Sequence, residues 1–171
     1  MKTVFASLAA ASILATIALV SKPAHAQQWV LAGTADAASG VEAGTYLRGM
    51  GMRRLRTTLR FGIDASVDEQ PQNIFAAALL IEIEPHAAVG ADIRLLRNVW
   101  KGLSVEIGAT GYLAPYSLLG ATVGATYHVP LMKNVWFTVG PSLNGYFIGS
   151  DLPAGTILWQ GLMRGGLRVG F

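Results

Sequence analysis

Charge sorts by residue parity along most of this chain, and few folds tolerate that. In the stretches 54–67, 74–84, 86–96, 102–113, 118–129, 135–148 and 157–171 no odd-numbered residue is charged. From Arg56 to Arg168 the even positions of the same stretches carry Arg56, Arg60, Asp64, Glu82, Glu84, Asp92, Arg94, Glu106, Arg164 and Arg168. The odd positions carry large apolar groups such as Leu59, Phe61, Ile63, Leu79, Ile81, Val105, Ile107, Val123, Leu143 and Leu167. Side chains alternate between the two faces of a β-strand, whereas a helical period would mix these two sets on one surface. The chain is therefore expected to be all-β, with one apolar and one charged face.

With a further strand near 28–37, the pattern predicts eight strands. Each is long enough to cross a bilayer as a tilted strand of about 9 to 11 residues. Turn-forming clusters separate them at 68–73, 84–86, 97–101, 114–117, 130–134 and 149–156, and a glycine-rich stretch from Ala38 to Met52 is read as the longest loop. Beyond residue 26 no run of 18 apolar residues offers a spanning helix.

An apolar face can point outward into lipid or inward around a ligand, as in a soluble lipocalin-like barrel. Three features favour outward. The charged face is rich in small residues, including Gly90, Ser104, Gly108, Gly120, Thr122, Gly124, Gly140, Ser142 and Gly166, which suits a crowded lumen. Its five arginines match its five carboxylates, as a buried interior requires. Aromatics are also expected in two belts. Phe75, Trp100, Tyr127, Trp136, Phe137 and Phe171 fall near the end that holds the termini, and Tyr112, Tyr116, Phe147 and Trp159 near the other.

A register inferred from turn centres sets Arg60 opposite Glu82, Arg56 diagonal to Glu84, and Arg94 diagonal to Glu106. It also places Asp92 opposite Glu106, so that Arg94 serves both, and lets Asp36 answer Arg164 or Arg168 where the barrel closes.

Residues 1–26 carry Lys2, an apolar run from Val4 to Val20 and the ending Ala24-His25-Ala26, the pattern of a cleaved secretory signal peptide. The expected mature domain is thus 27–171. It has no cysteine, which excludes disulfides, thiolate metal sites and a lipoprotein anchor. Once Lys2 and Lys22 are removed the net charge is near neutral, so the basic balance gives no warrant for nucleic-acid binding. The only lysines after residue 26 are Lys101 and Lys133, whereas all nine arginines remain. Arginine is the cation better suited to buried pairing.

In its signal peptide, strand count, dyad pattern and final strand, Trp159-Gln160-Gly161-Leu162-Met163-Arg164-Gly165-Gly166-Leu167-Arg168-Val169-Gly170-Phe171, the chain resembles the small eight-stranded outer-membrane barrels of the OmpA/OmpX type. The resemblance implies a closed antiparallel up-and-down transmembrane β-barrel in a Gram-negative outer membrane. It also implies contact with outer-membrane lipids and recognition by the barrel-assembly machinery through the last strand, with Phe171 as the insertion signal. The short connections at 84–86 and 114–117 depart from the adhesive members of that group. No peptidoglycan-binding domain follows in the sequence.

For chemistry the sequence offers little. His86 and His128 are too few for a multi-histidine metal site, and Gly44-x(4)-Gly49-x-Gly51 lacks the strand, helix and lysine of a phosphate-binding loop. Ser142 and His128 have the right types for a lipid deacylase but differ in height along the barrel. Tyr46, Arg48 and Arg53 are loop candidates for lipid phosphates. The expectation is a monomeric, non-enzymatic, porin-like outer-membrane barrel without cofactors, whose charge-paired interior is plugged rather than an open diffusion pore. It would serve envelope structure or surface interaction. The alternatives are a lipid A-modifying barrel enzyme and a soluble periplasmic binding barrel.

Overall fold

The computed structural model describes residues 29–44, 54–67, 72–84, 87–150 and 152–171. Eight antiparallel strands close into one barrel in chain order, with β1 pairing both β2 and β8. They are β1 (Trp29–Gly44), β2 (Arg54–Val67), β3 (Asn73–Glu84), β4 (Ala88–Trp100), β5 (Leu103–Ala114), β6 (Leu118–Met132), β7 (Val135–Gly149) and β8 (Leu158–Gly170). Among the described residues no helix is long and apolar enough to cross a membrane. The shortest strands have 12 residues. At about 3.4 Å per residue and a tilt of about 40°, such a strand covers roughly the thickness of a hydrocarbon core.

The parity pattern becomes an inside and an outside. Along β4 and β6 the even residues are buried and the odd ones exposed, until the strand ends. Ile63, Ile93, Ile107 and Met163 are among the large apolar side chains left exposed on the outer surface, which leaves that face suited only to an apolar solvent. The apolar face therefore points outward, and the soluble barrel with an apolar cavity is not the architecture adopted.

The strands differ from the sequence expectation mainly at their ends. β1 continues to Gly44, so residues 38–44 are strand rather than loop; residues 45–53 lie outside the described set. Two connections shrink to the turns Lys101-Gly102 and Lys133-Asn134, whose second residues take the left-handed conformation, with φ of 76° and 62°. Pro130, expected to end β6, is tolerated within it because a register shift between Pro130 and Met132 breaks the ladder there. Similar shifts sit at Val89/Gly90, Asn98/Trp100 and Leu119/Gly120. Each adds a residue to one strand and reverses parity beyond it, which is why even-numbered Trp100 and Met132 are exposed. Arg97, before the shift and inside the longer β4, is an odd-numbered charge on the outward face.

The interior is stratified. At the end bearing the loops between β3 and β4, β5 and β6, and β7 and β8, the side chains of Leu80, Ala88, Tyr112, Leu118, Tyr146 and Leu158 fill the lumen, with Tyr116 and Leu152 packed against them. A smaller apolar cluster, Ile74, Ala76 and Leu96, lies toward the end with the two-residue turns and the carboxyl terminus. Between them is the charged layer. Tyr112 and Tyr116 thus face inward and do not join an outer aromatic belt; Phe147 and Trp159 remain exposed. At the turn end Trp100, Tyr127, Phe137 and Phe171 are exposed, while Trp136 lines the lumen mouth.

Candidate functional site

The chemistry of the described chain is concentrated in the lumen, where five arginines meet six carboxylates in eight ion pairs. Asp36 and Arg60 face each other across β1 and β2, with Arg60 Nη1 2.7 Å from Asp36 Oδ2. Arg60 also reaches past β3 to Asp92 on β4, its Nε 3.2 Å from Oδ2. The buried methyl groups of Ala76 and Ala78 on β3 are small enough to let it pass. Arg94 bridges Asp92 and Glu106, lying 3.2 Å from the latter, and Glu106 also pairs with Arg164 across the lumen on β8. Arg164 Nη2 donates to Thr126 Oγ1 at 2.9 Å, and Thr138 donates to Asp36 at 3.1 Å. The chain from Thr138 to Thr126 is thus one connected network tying β1, β2, β4, β5, β6, β7 and β8.

Two smaller clusters flank it. Toward the loop end Arg56 is held between Glu42 and Glu82. Tyr116 Oη donates to Glu82 Oε2 at 2.9 Å and accepts from Arg56 at 3.2 Å. Gln160 donates to Glu42 and accepts from Tyr146, both at 3.3 Å. Burial pushes the Tyr116 phenol up to about 12, and the negative Glu82 beside it acts in the same direction against the Arg56 hydrogen bond. Toward the turn end Arg168 Nε lies 2.9 Å from Asp64 Oδ2, with its guanidinium 5.2 Å above the Trp136 ring.

Inward glycines make this crowding possible. A Cβ on Gly166 would fall 2.2 Å from Asp36 Oδ1, and one on Gly124 would fall 2.5 Å from Glu106 Oε1. The space left in the charged layer is a cavity of about 20 Å³ bordered by Asp36, Arg60, Asp64, Glu106, His128 and Arg164. That is room for about one water molecule.

Of the ten even-face charges, nine have described side chains, and all nine belong to these ion pairs. Glu84 is the last residue of β3, and its side chain lies outside the description. The inferred partners need correction. Arg60 stands opposite Leu80, not Glu82, because the unbroken β2–β3 register from Ser66 to Thr58 is offset by two residues from the one inferred from the turn centre and sets Glu82 opposite Thr58. Glu82 pairs instead with Arg56, and Glu84 stands opposite Thr57. Asp92 is opposite Thr110 rather than Glu106, yet Arg94 still joins the two. Asp36 takes Arg60, leaving Arg164 to Glu106 and Arg168 to Asp64.

Glu42, whose glycine-rich surroundings predict a loop, is buried on the inner face of β1. The signal that places it inside was the continued parity of Asp36 and Glu42 against Leu31 and Val41.

His128 does not approach Ser142, which stands opposite Gly124 while His128 stands opposite Thr138. Its Nε2 is instead 3.1 Å from Ser104 Oγ, which also donates to Asn98 Oδ1. Ser104 is fully buried, so no substrate carbonyl can reach its oxygen, and among the described residues no carboxylate hydrogen-bonds the imidazole. Nor do three metal-ligating side chains come together among them. His86, Tyr46, Arg48 and Arg53 lie outside the described residues. Phe171 donates its backbone N–H to Leu31 at 3.0 Å, and its ring covers Gly33 of β1.

No protein-family model matches the sequence, and a search of curated proteins finds no match. Comparison with solved structures does. The crystal structure of Neisserial surface protein A (NspA) superposes with a TM-score of 0.53 at 15% identity, covering 82% of this chain and 97% of that one. The solid-state NMR structure of outer membrane protein AlkL in DMPC lipid bilayers gives 0.51 at 10% identity, covering 88% and 94%. At these identities the likeness is one of fold: the chain has the architecture of small eight-stranded outer-membrane β-barrels.

Proposed function

We propose that residues 27–171 form an integral outer-membrane protein whose plugged interior makes it a structural or surface-interaction barrel rather than a pore or an enzyme. One observation carries this reading: paired charges cross the middle of the lumen, with an apolar and aromatic plug at the loop end. Eight strands enclose an interior that side chains just fill. Here the charged layer leaves a cavity of about 20 Å³. A permeating solute would have to break several buried ion pairs at once, each costly to separate. The outward apolar face and the similarity in fold to NspA and AlkL support a membrane site.

The test is fractionation of expressing cells with boiled and unboiled gel migration, followed by conductance of the purified protein in a planar bilayer. The reading predicts recovery in the outer membrane, faster migration without boiling and no sustained conductance. A single band from the soluble periplasm, or steady porin-like current, would overturn it. Lipid A mass spectra should be unchanged by expression; a mass loss or gain of an acyl chain would favour an enzyme.

A further inference from the structure

We infer that the turn end of the barrel carries a binding surface for anionic glycerophospholipid headgroups, built from Arg97, Lys101 and Lys133. The inference rests on the outer-membrane reading above, in which short turns face the periplasm and longer loops face outward.

The placement of cations is the first observation. The arginines described in the lumen are engaged with carboxylates, whereas the only two lysines after residue 26 occupy corresponding places on the two-residue turns. Each lysine precedes a residue in the left-handed conformation, Gly102 or Asn134, so the two hairpins present an ammonium group in the same way. Arg97 adds a charge on the outward face of β4. All three side chains are exposed, and no carboxylate lies on either turn.

The second observation is what surrounds them. The ladder shifts at Asn98/Trp100 and Pro130/Met132 give each hairpin an extra residue just before its lysine. As a result Val99 (52% exposed), Trp100 (76%), Leu131 (55%) and Met132 (69%) form exposed apolar shoulders beside the cations. A cavity of about 700 Å³ at the lumen mouth is bordered by Trp100, Lys101, Tyr127, Pro130 and Trp136, and none of its lining residues among the described ones is acidic.

Cations directly beside apolar and aromatic side chains match a molecule that joins a phosphate to acyl chains. A soluble anion or an acidic peptide would leave the shoulders in water. The exposed, flexible lysine suits a hydrated headgroup, as the planar guanidinium suits the dry lumen. Attraction to an anionic surface is worth up to about fivefold in affinity per neutralised charge.

Native mass spectrometry of the refolded protein, released from micelles holding equal phosphatidylglycerol and phosphatidylcholine, tests this. Wild-type protein should retain phosphatidylglycerol severalfold over phosphatidylcholine, with the preference falling as salt rises. The triple variant R97Q/K101Q/K133Q should lose the preference while keeping its unboiled gel migration. Equal retention of both lipids by wild type, or an undiminished preference in the variant, overturns the proposal. So does, in a second set of micelles that also hold lipid A, a preference for lipid A that the triple substitution abolishes, since it would put these turns on the opposite leaflet. Failure of the wild type to give a fast-migrating unboiled band overturns the membrane reading itself, a separate outcome.

Discussion

Glu106 serves Arg94 and Arg164 together from a site 5% exposed. Glu106→Gln keeps its shape but leaves two buried guanidinium groups sharing one fewer negative charge. Removing one partner of a buried pair costs about 3 to 5 kcal/mol. Here Asp92 still holds Arg94, so a loss of about 3 kcal/mol is expected by urea unfolding of the refolded barrel. Tyr116 behaves differently, being half-buried and outside the strands. Its phenol is pushed up from 10 to about 12, so the folded state holds the proton where the unfolded state releases it. The stability it contributes is present below pH 10 and is lost as pH rises toward 12. Tyr116→Phe should blunt that alkaline decline. At neutral pH it should cost about 1.5 kcal/mol through the lost hydrogen bond to Glu82; unfolding curves at pH 7, 10 and 12 check both.

Within one element, β5 separates two environments one residue apart. Val105 is exposed on the outer face, and Ser104 and Glu106 on either side are buried. Val105→Arg should cost about 2 to 4 kcal/mol in a bilayer. Thr122→Val, on the inward face of β6 where the hydroxyl finds no protein partner, should change stability by less than about 1 kcal/mol or raise it. Both are read from unfolding of the same barrel in phospholipid vesicles, and equal effects would contradict the facing. The faces of the mid-strand residues were legible in the sequence because a period of two survives any uncertainty about where a strand begins. Partners were not. The β2–β3 register sets Glu82 opposite Thr58, within reach of Arg56 rather than Arg60, and no composition or turn signal marks that offset. The inward turn of Tyr112 was legible from its even number, yet its place near a strand end suggested a belt. Glu42 was hidden by glycines that in a barrel make close approach possible: a Cβ on Gly40 would fall 1.9 Å from the Gly161 carbonyl oxygen.

For the whole molecule, the closed ring of strands removes every sheet edge, so the polar backbone is satisfied within the wall and an apolar exterior is tolerated in lipid. Apolar outside and paired charge inside follow from one alternation, and site-directed spin labelling tests that alternation directly. The chain has no cysteine, so single cysteines at Ser104, Val105, Glu106, Ile107, Gly108 and Ala109 can each be labelled alone in the barrel refolded into lipid vesicles. Their collision rates with lipid-soluble oxygen and with a water-soluble nickel chelate are then compared. High oxygen accessibility is expected at 105, 107 and 109, and low accessibility to both reagents at 104, 106 and 108. Oxygen accessibility that peaks at the even positions, or shows no period of two, would contradict it.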